Sequence, residues 1–146
     1  MKLRRLMAIG MTVALTATMF SGVSVYAESS DPEPFKIGFP WDTANTDPTW
    51  ISIYNNVKAA VESAGGELVN VVTDNSADGL IDNISELISR DVDGILFMPA
   101  SDSMLPAVDA MCADAGVYWG TMFRTISDDD IREAMYDSEW FAGGCN

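Results

Sequence analysis

Four short runs of this chain are apolar at successive positions rather than at alternate ones, and a helical pattern follows each of them. They are Lys-Ile-Gly-Phe-Pro-Trp at 36–41, Glu-Leu-Val-Asn-Val-Val at 67–72, Asp-Gly-Ile-Leu-Phe-Met at 93–98 and Val-Tyr-Trp-Gly-Thr-Met-Phe at 117–123. A strand that is apolar on both faces must be covered on both. A helical link of a dozen or more residues returns the chain to the same edge, so successive strands run parallel with right-handed crossovers. The expected fold is therefore α/β, an open, doubly wound parallel sheet.

The links support this. Residues 49–64 place Ile51, Ile53, Val57, Ala60 and Val61 on one side and stop at Gly65 and Gly66. Residues 77–90 carry the stripe Leu80, Ile81, Ile84, Leu87 and Ile88, and residues 102–115, opened by Ser101 or Asp102, turn Leu105, Val108, Met111 and Cys112 inward. Residues 127–135 begin with Asp128, Asp129 and Asp130 at the positive end of the helix dipole, and a weaker fifth strand is expected over 139–145. No GxGxxG follows the first strand and no GxxxxGK[ST] occurs anywhere, so the common nucleotide-phosphate loops are absent.

The first 27 residues depart from this pattern. Lys2, Arg4 and Arg5 precede an uncharged apolar run over 6–23 and then Val25, Tyr26 and Ala27, the arrangement of a secretory signal cut after Ala27. The competing reading is an uncleaved anchor, because the run approaches the roughly 20 residues that cross a bilayer. Thr12, Thr16, Thr18, Ser21 and Gly22 dilute its apolarity and favour the signal. Residues 28–34, polar and with two prolines, read as a disordered leader. Cleavage leaves five lysines and arginines against 22 acids on residues 28–146, a net charge of -17. So acidic a body has no basic face for a phosphate backbone, which excludes nucleic acid as a partner. The chain also has no histidine, which removes the Ser-His-Asp and Cys-His nucleophiles and the HExxH zinc site.

Parallel strands send every following loop to one edge of the sheet, where open α/β sheets bind ligands. In chain order that edge carries Trp41, Asp42, Thr43, Asn45, Asp47 and Trp50, then Thr73, Asp74 and Asn75, then Ser101 and Asp102, then Arg124 and Thr125, and Asn146. Carboxylates, amides and hydroxyls beside two indoles and a guanidinium suit a sugar or polyol, whose hydroxyls pair with Asp, Asn and Arg while its apolar face stacks on Trp. The candidate ligand-binding residues are Trp41, Asp42, Thr43, Asp47, Trp50, Asn75, Asp102 and Arg124. No catalytic residue, metal ligand or cofactor is expected.

Most of these residues have a structural alternative. Trp41 closes a strand, Trp50 fills a core or lid, Asp74 and Asn75 serve a turn, and Asp102 caps a helix. Arg124 is hardest to explain structurally, being one of five remaining cations and set directly after a strand at this edge. Cys112 and Cys145 meet an oxidising compartment after export, where a disulfide between them and two independent thiols are both open.

Three segments recur in the order and spacing of a known family. Lys36-Ile37-Gly38-Phe39 leads to Asp47-Pro48-Thr49-Trp50, where an Asn-Pro-aromatic step is usual. Asp93-Gly94-Ile95-Leu96 leads to Pro99-Ala100-Ser101-Asp102-Ser103, similar to a strand-Pro-x-Asp signature. Thr121-Met122-Phe123-Arg124 stands where many members carry Asp-Arg. In these features residues 35–146 resemble the extracytoplasmic sugar-binding proteins of ABC transporters, of the ribose-binding, LacI-like periplasmic class.

The resemblance implies the Rossmann-like N-terminal lobe of a two-lobed protein, with the second lobe absent from this sequence. It implies sugar contact by Asp47, Trp50 and Arg124, delivery to a membrane permease, and a secreted or periplasmic location without membrane embedding after signal cleavage. Phe123 replaces the usual Asp, which removes one hydroxyl partner, and Met98 stands where some relatives place a polar contact. One lobe offers half a crevice, so residues 28–146 are expected to bind a sugar very weakly. Two alternatives compete. One is a sensory ectodomain serving a membrane receptor; the other is a Mg2+-dependent enzyme built on Asp42, Asp74 and Asp102. A repressor of the LacI type would need a helix-turn-helix where the signal stands.

Overall fold

The computed structural model describes residues 33–144. The export signal expected over 1–27, most of the leader, and Cys145, on which the choice between a disulfide and two independent thiols depends, lie outside them. Within them β1 (Lys36–Pro40), β2 (Glu67–Val71), β3 (Gly94–Phe97), β4 (Tyr118–Thr121) and β5 (Phe141–Gly143) alternate with α1 (Pro48–Ser63), α2 (Ala77–Ser89), α3 (Leu105–Ala115) and α4 (Asp129–Tyr136). The strands form one sheet in the order β2-β1-β3-β4-β5, and every pairing is parallel. This is the open, doubly wound α/β sheet that the apolar runs imply.

Alternation along the strands sends neighbouring residues to opposite faces. In β1, Gly38 faces α2: a Cβ there would stand 3.0 Å from Leu87 Cδ1, so glycine is what lets α2 lie close to the sheet. On this face Leu80, Ile84 and Leu87 of α2 join Leu105, Val108 and Cys112 of α3, Ile95 and Phe97 of β3, and Trp119 of β4 in one buried cluster. Phe39 and Trp41 point the other way, toward α1. They are 0 % and 1 % exposed, and Phe39 stacks on Trp41 at 5.0 Å and on Tyr54 at 6.3 Å.

The α1 face is thinly covered. Ile53, Tyr54, Val57 and Val61 are half-buried and no α1 side chain is fully buried, whereas Ile51 and Ala60, expected inward, are exposed. Among the described residues α2, α3 and α4 contact one another in series while α1 packs on β2 without a helical neighbour, so only a narrow stripe of it is covered.

Local chemistry sets the boundaries. Asp47 caps α1 by accepting from the Thr49 amide, Pro48 occupies the first turn, and Gly65 at φ 83° ends the run. Ser76 caps α2 through the Gly79 amide at 3.0 Å. The single helix expected over 102–115 is divided. Asp102–Met104 is a 3-10 turn and α3 begins at Leu105, because Pro106 fits only the first turn of a helix. The last helix starts at Asp129, with Asp128 rather than Ser127 as its cap. β5 is shorter than expected and its register on β4 shifts between Trp119 and Gly120. Asp109 anchors this edge, accepting from the Trp119 indole at 2.8 Å and from Ser138 Oγ at 2.5 Å.

Candidate ligand-binding cleft

In the order β2-β1-β3, the loop after β1 departs to one face and the loop after β3 to the other. That divergence opens a crevice at the C-terminal ends of the strands. A half-open cleft of about 120 Å³ lies at the end of β1, lined by Trp41, Asp42, Thr43, Asn45, Trp50, Ile51 and Tyr54. The loop that builds it is held by three turns in which a side-chain oxygen accepts from the backbone two residues on. Ala44 N donates to Asp42 Oδ1 at 3.1 Å, Asp47 N to Asn45 Oδ1 at 2.9 Å and Thr49 N to Asp47 Oδ1 at 2.7 Å. Trp41 forms the floor. Its indole donates to Trp50 O at 3.2 Å and its ring lies 4.6 Å from the half-buried ring of Trp50. The ring of Phe123, from the loop after β4, stands 6.5 Å from Trp41.

The other loops are bound to one another. Asp102 Oδ2 accepts from Ser127 N at 2.7 Å, Ser127 Oγ at 2.8 Å and Asp128 N at 3.0 Å, while Arg124 Nη1 donates to Ala100 O at 2.8 Å. The loops after β3 and β4 are thus stapled in both directions. After β2, Asp74 Oδ1 accepts from Ser76 N and Ser76 Oγ, and Asn75, at φ 58°, donates its amide to Thr73 Oγ1 at 3.0 Å.

These bonds hold three carboxyls below the usual carboxylate range: Asp47 through the Thr49 amide and hydroxyl, Asp74 through the Ser76 amide and hydroxyl, and Asp102 through the Ser127 hydroxyl and the Asp128 amide, with the Arg124 charge adding to it.

Solved structures share this fold. A solute-binding protein of an ABC transporter from Mycobacterium smegmatis, with bound glycerol, matches 65% of this chain and 33% of its own at 21% identity and a TM-score of 0.57. One from Actinobacillus succinogenes, with bound D-allose, matches 68% and 35% at 18% identity and 0.58. One from Bacillus halodurans, with bound myo-inositol, matches 70% and 36% at 21% identity and 0.54. The fold is that of the ABC-transporter solute-binding proteins. The chain spans about a third of the length of these proteins. No family model and no curated protein matches it.

Within the solute-binding-protein fold the sequence candidates divide. Trp41, Asp42, Thr43 and Trp50 meet in the cleft, Trp41 as a buried floor and Trp50 as the more accessible ring. Asp47 serves as the cap of α1 and Asn75 as a turn residue, and neither lines the cleft. Asp102 does not cap the helix expected over 102–115; its carboxylate accepts instead from Ser127 and Asp128, just before α4. Arg124 ties two loops through one of its five N–H donors. Sequence reasoning did not place Ile51 and Tyr54 in the cleft. Tyr54 was legible, since it lies one helical turn after Trp50 and shares its face. Among the described residues no group of three or more carboxylates or thiols gathers to hold a metal ion, so Asp42, Asp74 and Asp102 do not form one acidic centre. No helix there is long and apolar enough to cross a membrane.

Proposed function

We propose that this chain supplies one wall of the ligand site in an exported solute-binding protein, which captures a sugar or sugar-like small molecule for import through an ABC-transporter permease. The observation that carries the reading is the aromatic cleft of Trp41, Trp50 and Tyr54 at the C-terminal end of β1, rimmed by Asp42, Thr43 and Asn45. Rings of this kind stack on the apolar face of a pyranose, and the polar rim offers partners to its hydroxyls. The bound glycerol, D-allose and myo-inositol of the proteins that share the fold are polyols of this chemistry. The basic, apolar and small-residue order of residues 1–27 supports export.

The walls described here grip a ligand from one side only, so the affinity of this chain alone is weak, on the order of millimolar. Titration of the full chain with D-allose, D-glucose and myo-inositol, followed by tryptophan fluorescence, tests the reading. A saturable change that Trp50→Ala removes is the expected result. No saturable change with any of the three at high millimolar concentration overturns it.

A further inference from the structure

Proline is rare inside a central strand, because it has no N–H to give a neighbouring strand. Yet β1 lies between β2 and β3 and ends on Pro40. Its pairing with β3 covers Ile37 and Gly38 only, whereas its pairing with β2 runs from Lys36 to Pro40. The end of β1, from which the cleft loop sets out, is therefore held from the β2 side. Trp41 N donates to Val71 O at 3.0 Å, and the half-buried side chain of Asn70 reaches across from β2. Its Nδ2 donates to Phe39 O at 2.7 Å and, at 3.3 Å each, to Trp41 O and Val71 O. An amide set among Leu68, Val69 and Val71 is costly unless its N–H groups are used, and here they join the two carbonyls that flank Pro40.

We propose that Asn70 is a positioning residue for the ligand cleft: by clamping the carbonyls on either side of Pro40 it fixes the backbone of Trp41 and the direction in which Asp42 and Thr43 leave the strand. This rests on the sugar-binding reading above. Asn70 does not line the cleft and acts through Trp41. The route is short. Trp41 O belongs to the peptide bond that leads into Asp42, and the Trp41 indole donates to Trp50 O at 3.2 Å, so the same residue ties the loop after β1 to the start of α1. A shift of its backbone moves both sides of the cleft, and a site is useful only while such supports keep it in shape.

Three variants of the full chain separate this role from a general loss of stability. Asn70→Asp keeps the shape of the side chain and turns oxygens toward the carbonyls; Asn70→Leu removes the donor without adding charge. Val69→Ala, on the opposite face of the same strand, removes packing against the core and leaves the clamp alone. Without ligand, exchange of the Trp41 indole N–H is compared by NMR with that of the Phe97 amide in β3, which reports the stability of the sheet. Both Asn70 variants quicken the indole about tenfold or more beyond the Phe97 amide, and Val69→Ala does not. Binding is read with whichever of D-allose, D-glucose and myo-inositol the unsubstituted chain holds most tightly. Its affinity falls about fivefold or more in both Asn70 variants and is unchanged in Val69→Ala. Indole exchange that only keeps pace with Phe97, or an affinity unchanged in both Asn70 variants, overturns the inference and leaves the sugar reading standing. Absence of binding of all three sugars by the unsubstituted chain overturns both.

Discussion

Replacing Asp102 by alanine removes the acceptor that joins the loops after β3 and β4. One carboxylate oxygen takes three hydrogen bonds, from Ser127 N, Ser127 Oγ and Asp128 N, and the last of these fixes the capping residue of α4. Charge-assisted bonds are the stronger kind, but Ser127 and Asp128 are exposed, so their donors turn to water once the carboxylate is gone. The three together then stabilise the fold by about 1–2 kcal/mol after solvent screening, rather than the several that a buried set would give. In urea this lowers the unfolding midpoint by about 1 M for a domain with a slope near 1–2 kcal/mol per molar. Hydrogen exchange at the Ser127 and Asp128 amides quickens in the same variant. Asp102→Asn keeps a neutral acceptor and loses about half as much. An unchanged midpoint together with unchanged exchange at both amides in Asp102→Ala refutes the staple.

Further outcomes follow from other contacts. Gly38→Val drives a branched side chain into Leu87 and costs about 1–3 kcal/mol, measured as a fall in the urea midpoint; an unchanged midpoint contradicts the close approach of α2. The Cys112 thiol is pushed up to about 12 by burial and then by the charge of Asp109. In a Cys145→Ala variant it therefore stays unlabelled by a disulfide reagent at neutral pH until the protein unfolds, and rapid labelling of the native state speaks against its burial. Asp47, Asp74 and Asp102 have folded pKa values below their unfolded ones, so their contribution is complete above the ordinary carboxylate value and is lost as pH falls through the lowered values. Stability consequently drops below about pH 4, and substituting all three by asparagine flattens that drop. A slope unaffected by the triple substitution places the acid sensitivity elsewhere.

The class of fold is legible because Ile95, Leu96 and Phe97 are apolar in succession and the stripes on α2 and α3 have helical spacing. Strand order is not, since the placing of β3 beside β1 rather than beside β2 depends on long-range contacts that leave no local pattern. Periodicity also misjudged α1. Ile51 and Ala60 share the spacing of a buried stripe, but burial depends on how many elements cover a face, and α1 has no helical neighbour among the described residues. At the edge of the sheet, residue type pointed to Trp41, Asp42, Thr43 and Trp50, which line one cleft, but not to which polar side chains hold the loops. Asp42, Asn45 and Asp47 each spend a carbonyl or carboxylate oxygen on their own loop, and Asp102 spends one on its neighbour's. Short polar side chains satisfy backbone donors and ligands with the same atoms, so composition alone does not say which they serve.

The central claim is that sugar binds at the C-terminal end of β1, against Trp50. It is tested most directly by mapping amide and indole shifts of the isotope-labelled full chain during titration with D-allose. The shifts are expected at Trp41, Asp42, Thr43, Asn45 and Trp50 and in the loop carrying Phe123 and Arg124, saturating together. Shifts centred on the opposite edge of the sheet, around Lys36, Glu67 and Asp93, or none at any concentration, contradict it.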